Sequence, residues 1–242
     1  MDTKPRNKAL YLANFIPYVE SELKFGTAQH DISELFYIVI DKIDSERKFI
    51  HPGDIMTIKC VELFECLKSQ CKYSGPTEAS LALSVKFDSD CYLLLEELII
   101  SQQRKQCNSE HVCSICGSKG TYSSRVFTLV SKYLNVYVRR VLFTEGSNAG
   151  VKKQTAVEFD ERLVITVTLQ DGSTTYKTFS LIGLIMHIGS QASAGHYVCF
   201  IKSDAQWILH DDDKVFLVNR ECIFRDYTYK NVYLLSYRLN LE

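Results

Sequence analysis

The chain has 242 residues, 46% hydrophobic and 24% charged, with four prolines and a formal net charge of −1. This composition excludes a disordered tail, and the even charge balance leaves no electrostatic footprint for nucleic acid or an acidic membrane. The length suffices for one large domain or two small ones, and a protein or small-molecule partner fits the charge better.

Lys4, Arg6 and Lys8 precede the apolar stretch Ala9 to Val19, which superficially resembles a secretory signal. Asn14 and Pro17 interrupt it and no small-x-small cleavage site follows, so a secretory signal is not expected there. Lys8 to Lys24 is expected to form a helix bent or started at Pro17, with Gly26, Thr27 and Ala28 breaking the pattern after it. From Asp31 to Ile43 the apolar positions Ile32, Leu35, Phe36, Val39, Ile40 and Ile43 recur at helical spacing. Beyond Ile55 the pattern changes to short apolar runs, several with period two: Met56–Val61, Ser80–Phe87, Tyr133–Phe143, Leu163–Leu169, Tyr176–Ile188, His196–Ile201 and Val232–Leu239. Breaks such as Glu145–Gly150 and Gln170–Thr174 separate them, and Tyr92–Gln103 reads as a further helix. Helices first and strands later argue an α+β fold with a largely antiparallel sheet. No run approaches the ~18 apolar residues of a membrane span, so the expected location is cytoplasmic or nuclear. The nine cysteines are odd in number and follow no export signal, so reduced thiols and a metal site are expected rather than disulfides.

The stretch Gly183 to Val215 carries the most chemistry. The small residues of Gly189–Gly195 deliver His196 to the start of a strand, a turn around Ser203–Ala205 leads to a second strand holding Trp207, and Asp211, Asp212 and Asp213 follow. Such a hairpin sets His196 close to Asp211 or Asp212, as a general base held in one tautomer by a carboxylate requires. By itself, this spacing describes equally well a strand histidine and a solvated aspartate turn.

Three motifs together resemble the ubiquitin-specific proteases. Gly183 to Ile201 with Trp207-Ile-Leu-His-Asp211-Asp212-Asp213-Lys-Val215, followed by Asn231 to Arg238, is similar to that family's histidine box and C-terminal strand. Gln29-His30-Asp31-Ile32-Ser33-Glu34-Leu35-Phe36 resembles its Gln-Gln-Asp helix start, and Tyr133 to Val141 resembles its Leu-Lys-Arg-Phe strand. The motifs occur in family order over residues ~9–239. The resemblance implies a papain-like α+β fold: a partial helical thumb at 1–55, β-ribbon fingers with a connecting helix at 56–130, and a β-rich palm at 131–242. It further implies hydrolysis of the isopeptide bond after ubiquitin's C-terminal glycine. His196 is then the general base, Asp211 its orienting carboxylate, and Asp212 a second polar group near the oxyanion. The implied partner is ubiquitin or a ubiquitinated protein, with no nucleic acid and no membrane.

The family's nucleophile sits in a Gly-x-x-Asn-x-Gly-Asn-Thr-Cys box upstream of the Gln-x-Asp helix, but none of residues 1–28 is cysteine. Cys199, three residues after His196 on one strand, is expected on the opposite face of the pleat. The expectation is therefore a His–Asp site without its thiol, inactive as written, unless a fuller form carries the box. No catalytic cofactor is implied. Cys113-Ser-Ile-Cys116-Gly has the knuckle spacing with which two thiolates grip zinc. The resemblance pairs it with Cys66 and Cys71, making one structural zinc site of Cys66, Cys71, Cys113 and Cys116. His111 is a reserve ligand, and His187 is expected to make structural hydrogen bonds.

Overall fold

The computed structural model describes residues 31–46, 51–87, 90–143, 150–191 and 194–240. The helix expected over Lys8–Lys24 lies outside these residues, as do Gln29 and His30. The first described helix, α1 (Ile32–Glu46), starts where Asp31 caps it. The Asp31 carboxylate accepts the Ser33 backbone N–H at 2.7 Å and the Ser33 hydroxyl at 2.6 Å. That satisfies a donor the helix itself leaves unpaired. A short α2 (Pro52–Met56) begins on proline, whose missing N–H is no loss at a helix start.

The remaining elements in chain order are β1 (Ile58–Cys66), β2 (Lys72–Ser80), β3 (Leu83–Val85), β4 (Leu93–Leu94), α3 (Leu95–Gln103), β5 (Gln106–Val112) and β6 (Lys119–Val130). Then come β7 (Tyr133–Val138), β8 (Val141–Phe143), β9 (Gly150–Lys152), β10 (Val157–Glu158), β11 (Arg162–Thr168), β12 (Thr174–Ile188) and β13 (His196–Ser203). Last are β14 (Gln206–Asp211), β15 (Lys214–Val218), a 3₁₀ turn (Arg220–Cys222), α4 (Asp226–Asn231) and β16 (Val232–Leu239).

These elements form an α+β fold built on two larger sheets. One has four strands in the order β2-β1-β6-β5, all antiparallel. The other has the order β15-β14-β13-β12-β16-β7-β3, with β11 also paired to β12. Along β11 the burial alternates, Leu163, Ile165 and Val167 facing in, which is the period-two signature of a half-buried strand. Strand β16 is instead buried on both faces from Val232 to Leu235 because it lies in the middle of the sheet, between β12 and β7.

Several expected boundaries move, each for a local reason. Met56 closes α2, so the first strand starts at Ile58. Leu93 and Leu94 form a parallel bridge with Val157 and Glu158, so the helix expected from Tyr92 begins at Leu95. The run Tyr133–Phe143 divides after Val138, at Arg139 and Arg140. Of the expected strand Ser80–Phe87, only Leu83–Val85 is a strand of its own, Ser80 ending β2.

The division at Arg140 has a cause in the core. The Arg140 guanidinium is fully buried and donates through Nε to the Val232 carbonyl at 2.7 Å. Its Nη1 reaches the carbonyls of Thr155 at 2.7 Å and Lys153 at 3.2 Å, and its Nη2 reaches that of Tyr229. Burial pulls its pKa down to about 10, which still leaves it charged at neutral pH. Carbonyl dipoles from three segments thus solvate one buried cation in place of water. Arg140→Met removes one donor from each of these carbonyls, at about 1–3 kcal/mol for each that is then left unpaired out of reach of water. The expected result is a loss of at least ~3 kcal/mol of stability in urea unfolding; a loss under ~1 kcal/mol would show that the carbonyls find other partners.

Candidate active site

Strands β12 and β13 form a hairpin whose last pair is Ile188 with His196. Two glycines close it. Gly189 has φ of 140°, a conformation other residues rarely adopt. At Gly195 a Cβ would lie 2.3 Å from His187 Nε2 and 2.5 Å from the Ile188 carbonyl oxygen, so only glycine fits. The second turn, at Asp204 and Ala205, sets Cys199 opposite His210 and Ser203 opposite Gln206. One residue beyond His210, Asp211 therefore falls opposite Val198, diagonal to His196 and on its face of the sheet. Diagonal neighbours of this kind are within side-chain reach, and His196 Nε2 meets Asp211 Oδ1 at 2.5 Å. Asp212 follows at φ of 52°, a left-handed position aspartate tolerates in turns. Its carboxylate and the other two functional groups have oxygen or nitrogen atoms within 4.8 Å of one another.

The arrangement has a definite polarity. With Nε2 engaged by Asp211, Nδ1 is the nitrogen left to take a proton, and the His196 side chain is 43% exposed. Cys199 lies on the other face with Tyr197, where burial pushes its thiol pKa up, the reverse of what a nucleophile needs. His187 does not make the structural hydrogen bonds expected of it. It is 1% exposed, neither ring nitrogen has a hydrogen-bond partner among the described residues, and it packs as an aromatic between Tyr197 and Tyr233. Burial, reinforced by Lys152, lowers its pKa and keeps the ring neutral.

The start of α1 sits against this hairpin. Asp31 accepts the Tyr137 hydroxyl at 3.1 Å on both carboxylate oxygens, joining the helix to β7. Burial first, then the Asp31 charge, raises the pKa values of Tyr137 and Tyr197, the latter to about 12. A groove lined by Ile32, Phe36, Tyr137, Arg139 and Leu234 runs between α1 and the sheet.

At the far end of the four-stranded sheet, the structure brings together three of the four predicted zinc ligands. The Sγ atoms of Cys66, Cys113 and Cys116 lie within 4.8 Å of one another, with Cys66 and Cys116 at 3.6 Å. Tetrahedral zinc with ~2.3 Å bonds requires sulfurs about 3.8 Å apart, so the trio fits. Cys71 is not in the trio. Ser69 stands between, its Oγ 2.9 Å from Cys116 Sγ and 3.0 Å from Cys71 Sγ. Sequence reasoning missed Ser69, although Cys66-Leu67-Lys68-Ser69 keeps the knuckle spacing with oxygen in place of the second sulfur. The Ser69 hydroxyl lowers the pKa values of Cys116, to about 5, and Cys66. His111 is not near enough to serve as reserve: it stacks on Phe64 and meets the Tyr73 hydroxyl at 2.9 Å.

Comparison with known proteins bears on what this site is. A family model described as ubiquitin carboxyl-terminal hydrolase matches residues 4–237. The chain belongs to that family. Ubiquitin carboxyl-terminal hydrolase 7 of Drosophila melanogaster is 24% identical over 198 residues, covering 77% of this chain and 17% of its own length. Probable ubiquitin carboxyl-terminal hydrolase 9 of Schizosaccharomyces pombe is 24% identical over 220 residues, 85% of this chain and 37% of its own. Among solved structures, the SAGA Ubp8/Sgf11/Sus1/Sgf73 DUB module bound to ubiquitin aldehyde superposes with a TM-score of 0.78 at 19% identity. The match covers 95% of this chain and 54% of that one, which shows the ubiquitin-specific-protease fold. The chain thus spans about half of that solved relative and less of the curated ones.

The steric role of Gly195 in this hydrolase fold is testable. Gly195→Ala overpacks the hairpin against a backbone oxygen, and about 1–3 kcal/mol of stability should be lost in urea unfolding. A change below ~0.5 kcal/mol would show that the turn shifts freely to admit a methyl group.

Proposed function

We propose that this chain is a ubiquitin-specific-protease-like protein of the deubiquitination pathway that binds ubiquitin and presents the His–Asp half of a thiol-protease site without the thiol. The 2.5 Å contact between His196 and Asp211, with Nδ1 left to act, carries this reading. A surface turn does not require an imidazole held in one orientation by a carboxylate, whereas proton transfer does.

In the full reaction, His196 Nδ1 takes the proton of a thiol and the sulfur adds to the carbonyl carbon of the isopeptide bond. Asp211 stabilises the imidazolium, and Asp212 provides polar surroundings for the oxyanion. The imidazolium then protonates the leaving amine as the C–N bond breaks, and water hydrolyses the resulting thioester. None of the nine cysteines is among the partners of His196. As written, the chain therefore stops before the first step. A second reading is favoured by the same contact: a longer form supplies the thiol, and His196 with Asp211 completes an active deubiquitinase. A pure scaffold has no need of the pair.

Incubation of the 242-residue chain with a fluorogenic ubiquitin substrate should give no turnover. Turnover abolished by His196→Ala would refute the missing-thiol reading and reveal a cysteine that reaches the imidazole.

Ubiquitin's body is taken by the β-rich surface of segments 80–87 and 133–169, and its tail by the groove between α1 and β7. The expected affinity is weak micromolar or poorer, on the order of −8 kcal/mol or less favourable. NMR titration with labelled ubiquitin is the measurement, and no shift changes at millimolar protein would defeat ubiquitin recognition.

Cys66, Cys113 and Cys116 are proposed to hold one structural zinc, with the Ser69 hydroxyl beside them. When bound, the ion cross-links the turn at the end of β1 to the turn before β6. Metal analysis should find zinc lost in Cys113→Ser/Cys116→Ser but retained in Cys71→Ser. Loss of zinc in Cys71→Ser would restore the four-cysteine assignment.

A further inference from the structure

Lys152 ends β9 and takes no part in the chemistry above, yet its side chain is buried beneath the active-site hairpin. Its ammonium donates to the carbonyls of His187 and Gly189, each at 2.6 Å, and to Asn231 Oδ1 at 3.3 Å. An ammonium has three N–H groups, and here each has an acceptor. Among the described residues Lys152 makes no ion pair. Burial, and then the Arg140 charge, holds its pKa down to about 8, so a cation placed here is costly and is not shielded by a carboxylate.

The location of the three acceptors explains what that cation does. His187 and Gly189 flank Ile188, the residue paired with His196. On the opposite edge of β12, pairing with β16 ends at Met186 with Val232. The carbonyls of His187 and Gly189 therefore lie past the last rung on that edge, where no strand continues. The ammonium occupies the position of the missing rung, and Asn231, immediately before Val232, ties it to the start of β16. Without it, two carbonyls at the end of a buried hairpin are unpaired, and the strand end is free to fray where the general base begins.

We propose that Lys152 is a positioning residue for His196, its ammonium fixing the end of β12 against which the histidine is registered. This rests on His196 and Asp211 being the catalytic pair, but its test uses neither cleavage nor ubiquitin, so the two readings fail separately. Lys152→Met preserves the chain length and removes every donor. In the whole 242-residue protein, amide exchange at Ile188, Gly189 and His196 should accelerate at least about tenfold, while Leu181 and Leu184 in the same strand change less than about twofold. The downfield proton of the short His196–Asp211 hydrogen bond should broaden or disappear in the variant. Unchanged exchange at the hairpin end, or equal acceleration along all of β12, would overturn the proposal, the latter by showing a purely structural role. The unmodified protein supplies a second readout that does not depend on the variant folding. The Lys152 side-chain ammonium should give a solvent-protected ¹⁵N resonance coupled across hydrogen bonds to the His187 and Gly189 carbonyl carbons. A freely exchanging ammonium without those couplings would equally refute the assignment.

Discussion

Arg140 solves a problem that the topology creates. The chain leaves the large sheet after β7, passes through the small pairings of β8 with β9 and of β10 with β4, and leaves the large sheet again between β15 and β16, so backbone carbonyls from these excursions converge in the core. A buried guanidinium with a fork of donors can satisfy them together, which neither a lysine nor a water molecule could do with the same reach. The Val232, Tyr229, Thr155 and Lys153 carbonyls all converge on it. The beginning of β16, an interior strand, is thereby fixed to the loop that follows β9, and the hairpin carrying His196 is built on β16 through β12.

Lys152 repeats the device one layer closer to the chemistry. Among the described residues neither cation has a carboxylate partner; both are solvated mainly by backbone oxygens, and both have lowered pKa values because burial disfavours their charge. In each case the positive group stands where a ladder of hydrogen bonds ends. His196 itself pairs with Asp211 near the surface, both side chains partly exposed. Gly195 is packed against His187 and Ile188 so closely that a single methyl group does not fit.

The site and the core were legible in the sequence to different degrees. The hairpin carrying His196 and Asp211 could be read because its two turns are marked by small and acidic residues and its strands by alternating apolar ones. The helix α1 could be read from its period. Strands β2 and β5 could not: their sequences, Lys72–Ser80 and Gln106–Val112, are largely polar and mainly exposed, so no apolar alternation announces them. They are strands because β1 and β6 offer them edges, a tertiary reason. In the same region the fold brings Cys66, Cys113 and Cys116 together and places the Ser69 oxygen beside Cys116, where Cys71 was expected.

By itself, the sequence determined the family and the α+β class and pointed to His196 and Asp211 as neighbours, because each depends on local patterns: periodicity, turn chemistry and short motifs in a set order. Only the tertiary structure decided which nitrogen of His196 faces Asp211, which atoms surround the cysteine trio, and which oxygens Arg140 and Lys152 bond. Those depend on which atoms the fold brings together from distant segments, and the backbone carbonyls around the two cations in particular are carried by every residue alike, so they leave no trace in the sequence until the chain is folded.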